Sequence, residues 1–426
     1  MKTNTLSDTG ALGAVIVQAP IPAAPTQTIP GVVPPVRPQT NPQRTMHIPT
    51  LAPVHWKVFR RAHKKQLFVA VGIGVLLVAL VGLRTYMSVH EQSVIRSTLS
   101  VYQQRLDALT KGNNRIQEIK GMRDLMSEVE DREKNTQDAA LAHAYAGFLL
   151  QLQTQYAQVS GERHIEKLNT FYDFRLVAAD FMATALDFDI PGKVAVVLDG
   201  NKSRILSLSL EKKEAIPLSI DAQLPSPFDV SVSDRNAYVL ANGGVMQLSL
   251  PLDTIGSVVI ARDSTWQTPK LIDTFGTNAY ILDTGARALF KYDLTSPTAS
   301  PSNWFKTEQG INFDTITTLR VDGNVWLGDS NGQVMKFMQG NKVPFTLQGV
   351  VDPPSSSITL FTTPDSDALY ILEPRAKRIL IVGKDGAYKS SIISDDLSTA
   401  DKLIVDEGDK KIYVLAGSLM YEIDMQ

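Results

Sequence analysis

The 426-residue chain contains no cysteine. That excludes disulfides, thiolate metal sites and cysteine nucleophiles, while suiting either side of a membrane. Histidine is scarce and unevenly placed: the six are His47, His55, His63, His90, His143 and His164, so nothing beyond residue 164 carries an imidazole. The long C-terminal part therefore lacks the commonest general base and the commonest transition-metal ligand. An excess of either charge is also missing. With 42 basic against 44 acidic side chains and a net charge of -2, the chain has no basic field of the kind nucleic-acid binding needs, and no nucleic-acid partner is expected. Outside one apolar run there is no phosphate-cradling glycine loop, and there is no G-x-S-x-G elbow or H-E-x-x-H pair. No catalytic residue, cofactor or metal ligand is assigned from the sequence.

What is present divides into four parts. Residues 1–56 hold ten prolines between Pro20 and Pro53, with few aromatic or charged residues and neither helical nor strand periodicity. Such a segment cannot bury enough apolar surface to offset its ordering entropy, so a disordered, Pro-rich tail is expected. "PPVRP" within it sets a basic residue among prolines, the extended form that proline-binding grooves take, which gives the tail a candidate cytoplasmic partner.

Residues 57–86 contain the apolar run. Leu67 to Leu83 is 17 residues without a charge, roughly 25 Å of helix at 1.5 Å per residue and near the lower limit for crossing a bilayer. The run starts too far into the chain for a cleaved signal peptide, which sits within the first ~30 residues. A single-pass transmembrane anchor with span 67–83 is expected. Lys57, Arg60, Arg61, Lys64 and Lys65 precede it, and Arg84 is the only Lys or Arg in the dozen residues that follow. The positive-inside rule then keeps the N-terminus cytoplasmic and places everything after Arg84 outside the cell membrane.

Residues 87–166 carry a helical period. Ile116, Ile119, Met122, Met126 and Val129 form one amphipathic series, and Leu141, Tyr145, Phe148, Leu152, Tyr156 and Val159 a second. "KGNN" (111–114) and "KNTQD" (134–138) read as breaks, with Thr136 as the N-cap of the helix after the second. The segment forms either an intramolecular hairpin or a stalk that pairs with another copy, which makes residues 87–160 a candidate homo-oligomer contact.

Residues 167–426 repeat. "KVAVVLDG", "RNAYVLAN", "TNAYILDT", "GNVWLGDS", "DALYILEP" and "KKIYVLAG" align on Leu198, Leu240, Leu282, Leu327, Leu372 and Leu415, spaced 42, 42, 45, 45 and 43 residues apart. A period of 40–50 containing only strands means four-stranded propeller blades. The outer strand of most units follows the third, as in "AIPLSI" and "PFTLQGV". In the last unit the third strand ends the chain, so "NTFYDFRLV" (169–177) is expected to supply the missing strand and close the sheet edge. The fold class is mainly β: a six-bladed β-propeller preceded by a short α-helical region, one transmembrane helix and a disordered tail.

The turns between second and third strands read "LDGNKSRIL" (Asp199 to Arg204), "LDTGARALF" (Asp283 to Arg287) and "LEPRAKRIL" (Glu373 to Arg378). Over about 255 residues this pattern resembles the acidic…Arg-Ile hairpin of NHL-like six-bladed propellers. Units two and six lack both acid and arginine, and unit four has Asp329 without the arginine. Arg204, Arg287 and Arg378 are candidate rim contacts; the plainer reading is an exposed hairpin ion pair worth under about 1 kcal/mol.

The resemblance implies two function classes. One is a binding module, as in sensors whose external NHL-type propeller is joined by one span to a cytoplasmic kinase or phosphatase; here the role would be sensing, scaffolding or adhesion toward an extracytoplasmic protein or glycan. The alternative is a membrane-tethered hydrolase of the lactonase type, with a divalent metal in the central channel. For that metal the sequence offers only oxygen ligands such as Asp229, Asp273, Asp322 and Asp406. Trp266, Trp304 and Trp326 are read as blade packing rather than a sugar platform. The binding module, not an enzyme, is the expectation carried forward.

Overall fold

The computed structural model describes residues 64–220, 226–252, 256–262, 264–296, 301–306 and 310–425, with side chains from Gly74 onward except those of 85 and 87–89. The chain divides into two units, residues 1–80 and 81–426. The tail and the flanking residues Lys57, Arg60 and Arg61 lie outside the described residues, as do the side chains of Lys64 and Lys65. Helix α1 runs Lys64–Thr110, and Arg84 on it is exposed. Among the described residues no helix is long and apolar enough to cross a membrane; the side chains of 67–73, the first part of the expected span, are not among them.

In the second unit, α2 (Arg115–Asn135) and α3 (Ala139–Ser160) pack on each other and on the end of α1. Their shared core holds Tyr102, Leu106, Ile119, Met122, Leu125, Val129, Tyr145, Phe148 and Leu152. The break at 111–114 works through Asn114, whose side chain accepts from the Gln117 amide at 3.2 Å. The second break differs from the expected cap. Asp138 is the N-cap of α3, accepting from Ala140 and Leu141 at 2.9 and 3.2 Å, while Thr136 ends α2. A carboxylate caps the first turn and also complements the helix dipole, which a hydroxyl two residues earlier does not.

Six sheets follow, each an antiparallel meander whose first strand is innermost. The inner strands are Ala185–Asp189, Pro227–Ser233, Pro269–Phe275, Ile316–Val321, Thr359–Phe361 and Lys402–Asp406. Each touches the next and the sixth touches the first, so the ring is closed. This is a six-bladed β-propeller, the broad class that the repeat and the hairpin pattern imply. The aligned second strands are buried on both faces, because each is sandwiched between neighbouring blades; that is why they read as continuous apolar runs rather than as alternation.

Two short strands precede the ring. Gly161, left-handed at φ 64°, ends α3 and turns the chain directly into β1 (Glu162–His164). β1 adds in parallel to the outer strand of blade 5, Tyr388–Ile393, making that sheet five-stranded. β2 (Asn169–Asp173) then pairs antiparallel with Leu419–Asp424 as the outer strand of blade 6. The borrowed strand is thus the one expected from "NTFYDFRLV". Blade 4 departs from expectation. Its outer strand is Asn341–Val343, and "PFTLQGV" instead crosses toward blade 5, where Gln348 bridges Ala387. Pro344 has no amide hydrogen to extend the ladder, so pairing stops before it.

Closure rests on packing as well as pairing. Phe171 of β2 is buried and meets Tyr413 of blade 6 edge-on, 4.9 Å between ring centroids. Phe171→Ala is expected to cost about 3–5 kcal/mol, measured by denaturant unfolding of the full chain. A loss under about 1 kcal/mol would mean that β2 does not hold the ring.

Candidate binding cleft

The four acids of the hairpin motif are buried, not exposed. Asp199, Asp283, Asp329 and Glu373 sit at matching ends of their second strands with exposures of 0–4 %. Two of them are held mainly by nearby backbone amides: Asp283 accepts from Gln267, Thr268 and Ala286, each at 2.8 Å, and Asp329 from Asn331 and Gln333 at 2.9 and 2.8 Å. The arginines play different parts. Arg204 pairs with Asp199 and with Asp180, at 2.5 and 3.0 Å. Arg378 grips Glu373 through two nitrogens at 2.9 and 2.7 Å. Arg287 leaves Asp283 to the backbone and lies over the Phe313 ring, 5.5 Å from its centroid. The exposed ion pair read from sequence is therefore, in blades 1 and 5, a pair with a buried acid.

The channel-side acids are similarly occupied. Asp187, Asp229 and Asp273 accept from the amides of Val232, Ile272 and Val321, each on the next blade, at 2.7, 2.8 and 2.5 Å. Arg320 bridges Asp187 at 2.8 Å and Asp273 at 3.6 Å. Asp322 takes the Trp326 indole and Lys384, and Asp406 takes Lys193. Among the described residues no group of three or more His, Asp or Glu is arranged to hold a metal. Trp266 donates to the Tyr292 hydroxyl at 2.6 Å, Trp326 is fully buried, and Trp304 packs edge-on to Tyr280 and Phe305.

Burial pushes the Asp273 carboxyl up to about 7 against the pull of Arg320, with the Asp187 charge adding to the rise. Burial likewise pushes Asp229 up to about 6, opposed by Lys402. A carboxyl whose folded value is raised stabilises the fold below its unfolded value and loses that contribution as pH rises through the folded value. Between about pH 4 and 7 the propeller should therefore lose stability. Asp273→Asn keeps an acceptor for Val321 and removes the titration. It should raise stability at pH 8 by on the order of 2 kcal/mol and flatten the pH profile of thermal melting; an equal gain at pH 5 would contradict this.

A concavity of about 930 Å³ lies between the helices and blade 5. One face of α2 lines it with Arg123, Met126, Ser127 and Glu130, spaced 3, 1 and 3 residues as one helix face requires. α3 adds Gln153, Tyr156 and Ala157, and alternate residues Glu162, His164 and Glu166 face it from β1 and just beyond. Blade 5 contributes the loop residues Asp352, Pro353 and Ser355, the hairpin residues Glu373, Ala376 and Arg378, and Ile393.

A polar chain bolts the two walls together. Arg123 bonds Asp352 of the blade 5 loop at 2.5 Å and donates to the Tyr156 hydroxyl at 3.1 Å, and Tyr156 donates to Glu162 at 2.7 Å. Burial first, then the bond to Glu162, pushes the Tyr156 phenol up to about 12, against the pull of Arg123. It stays protonated and keeps its place as donor. At the far end, Arg115 lies over the Tyr388 ring, 5.2 Å from its centroid, and bonds the Val159 carbonyl. Of the three candidate arginines only Arg378 reaches this cleft. Tyr156 was read from sequence only as part of the apolar series of its helix, and Arg123, Glu162 and Asp352 were not singled out; for Arg123 the one signal is a basic residue directly after Met122 of the α2 series.

No family model matches the chain, and no curated protein matches it. Solved structures give likenesses of fold. A calcium-binding protein, regucalcin from Agrobacterium tumefaciens, is 8 % identical, with 62 % of this chain and 96 % of that one covered and a TM-score of 0.44. A gluconolactonase from Xanthomonas campestris is 10 % identical, over 60 % and 89 %, with a TM-score of 0.44. A chain of the nidogen/laminin complex is 14 % identical, over 50 % and 81 %, with a TM-score of 0.40. Likenesses this distant say nothing about ligand or activity.

Proposed function

We propose that the chain is a membrane-anchored binding module whose propeller lies outside the membrane and takes its partner in the cleft between the helices and blade 5. The cleft carries this reading. It is at the upper end of the size range of ligand sites, its walls come from separate elements, and those walls are cross-tied rather than loosely apposed. Anchoring is supported by the 17-residue apolar run and its basic N-terminal flank. The large side chains described there, from Val75 to Leu83, are 52–73 % exposed, an arrangement suited to lipid. A binding role, as sensor, scaffold or adhesin, is favoured over catalysis because the propeller sequence carries no histidine or cysteine. Helices 87–160 are the segment through which copies would pair, and the Pro-rich tail is the segment offered to a cytoplasmic partner.

The absence of cysteine makes the topology directly testable, since an introduced thiol is unique. Ser127→Cys, exposed in the cleft, should react with a membrane-impermeant maleimide in intact cells. Thr26→Cys should react only after permeabilisation. The reverse pattern would overturn the proposed orientation, and labelling of both in intact cells would overturn the anchor. Metal analysis of the purified full chain addresses the lactonase-type alternative: a stoichiometric, tightly held divalent ion would replace the binding reading with it.

A further inference from the structure

Charge bookkeeping in the cleft goes further than its size. Five carboxylates line it, Glu130, Glu162, Glu166, Asp352 and Glu373, against two guanidiniums, Arg123 and Arg378. Both guanidiniums are already engaged. Arg378 is held by Glu373 and the Asp352 carbonyl, and Arg123 by Asp352 and Tyr156, with Glu162 at 3.7 Å. These contacts balance Asp352 and Glu373. Glu162 takes the Tyr156 hydroxyl and has Arg123 at 3.7 Å and His164 at 3.8 Å. Two carboxylates are left with little or no cation among the described residues: Glu130, which has an exposed Lys134 at 3.7 Å on the same helix, and Glu166, which has no basic partner. Between the charges lie small apolar patches from Met126, Ala157, Pro353, Ala376 and Ile393, with Ser127, Gln153 and Ser355 among them.

A cavity with surplus negative charge around small apolar patches complements a cationic side chain carried on an apolar stem, because such a side chain packs its stem and keeps its charge at the rim. Resting on the reading that the cleft is the binding site, we propose that its ligand is an extended protein segment bearing arginine or lysine beside small apolar residues. Glu130 and Glu166 take the cations. Arg123 and Arg378 hold the walls apart at a fixed width and do not themselves contact the ligand's charge. An acidic glycan does not fit this surplus, since its carboxylates would meet Glu130 and Glu166.

The test uses the full chain in phosphatidylcholine nanodiscs, a zwitterionic surface that does not itself collect basic peptides. Three fluorescent peptides of equal length, with an alanine/valine background and two arginines, two glutamines or two glutamates, are titrated by fluorescence polarisation. The arginine peptide should bind about tenfold more tightly than the glutamine peptide, with the glutamate peptide weakest, and the preference should shrink with added salt. Glu130→Gln with Glu166→Gln should remove the preference while leaving the thermal melt unchanged. Ala157→Trp, at an exposed position of the cleft wall, should abolish binding of every peptide. If the glutamine or glutamate peptide binds as well as the arginine peptide, and Ala157→Trp still abolishes it, the cleft stands as the site and the cationic ligand is wrong. If the arginine peptide binds equally to the Ala157→Trp variant, the cleft itself is wrong. Failure of all three peptides to bind overturns the proposed ligand class.

Discussion

The pairing of β2 with the last strand of blade 6 governs everything else in the second unit. Blade 6 draws three strands from the last repeat, and without a fourth its outer sheet edge would be open. Here the chain fills that edge with residues that precede blade 1, Asn169–Asp173, before the ring begins. The segment leading to the ring must therefore arrive beside blade 6. The helices end only a few residues upstream, at Ser160, so they are delivered to the flank of blades 5 and 6. The cleft follows from that delivery. It exists where it does because closure fixes the entry point of the chain, and Arg115, Arg123 and Val351 then fasten the helices at that spot.

The ring has a second source of order, a set of polar contacts passed from blade to blade. Carboxylates on the inner strands of blades 1, 2 and 3 accept amide hydrogens from the next blade, and the Thr318 hydroxyl of blade 4 does the same for Leu360 of blade 5. Thr359 of blade 5 reaches the Asp401 carbonyl of blade 6, and Lys193 of blade 1 returns to Asp406 of blade 6. All six junctions are covered. Apolar packing between blades is non-directional and would tolerate sliding, whereas a bond to a charged acceptor, worth about 1.5–3 kcal/mol, sets the phase of one blade against the next. Several inner-strand acids thus have structural employment, which is why their mere presence in the channel points to no chemistry.

How much of this was legible depended on whether the signal was local and repeated. The aligned leucines showed the blades because every second strand occupies the same doubly covered environment. The closure strand was legible because the last unit falls one strand short. Features fixed by single residues were less so. Thr136 and Asp138 both suit an N-cap, and only the helix start decided between them. "PFTLQGV" has the composition of a strand, yet Pro344 breaks the ladder before it. The acid and arginine hairpins were visible as pairs, but not that the acids are buried, nor that Asp283 and Asp329 are held by backbone amides while Asp199 and Glu373 are held by arginine. The cleft was invisible because its walls lie far apart in the chain: Arg123 and Asp352 are 229 residues apart, and nothing in either neighbourhood reports the other.

β1 has a mechanical consequence. It is three residues long and joined in parallel to blade 5, while β2 just after it is five residues long and seals the ring. Tension arriving from the N-terminal side loads the helices and their side-chain ties to blade 5, then β1, and only then β2. The shorter strand, with fewer bonds to lose, yields before the longer one is loaded. By order and length β1 stands ahead of the ring's seal, so a pull from that side loads β2 only after β1 has parted from blade 5.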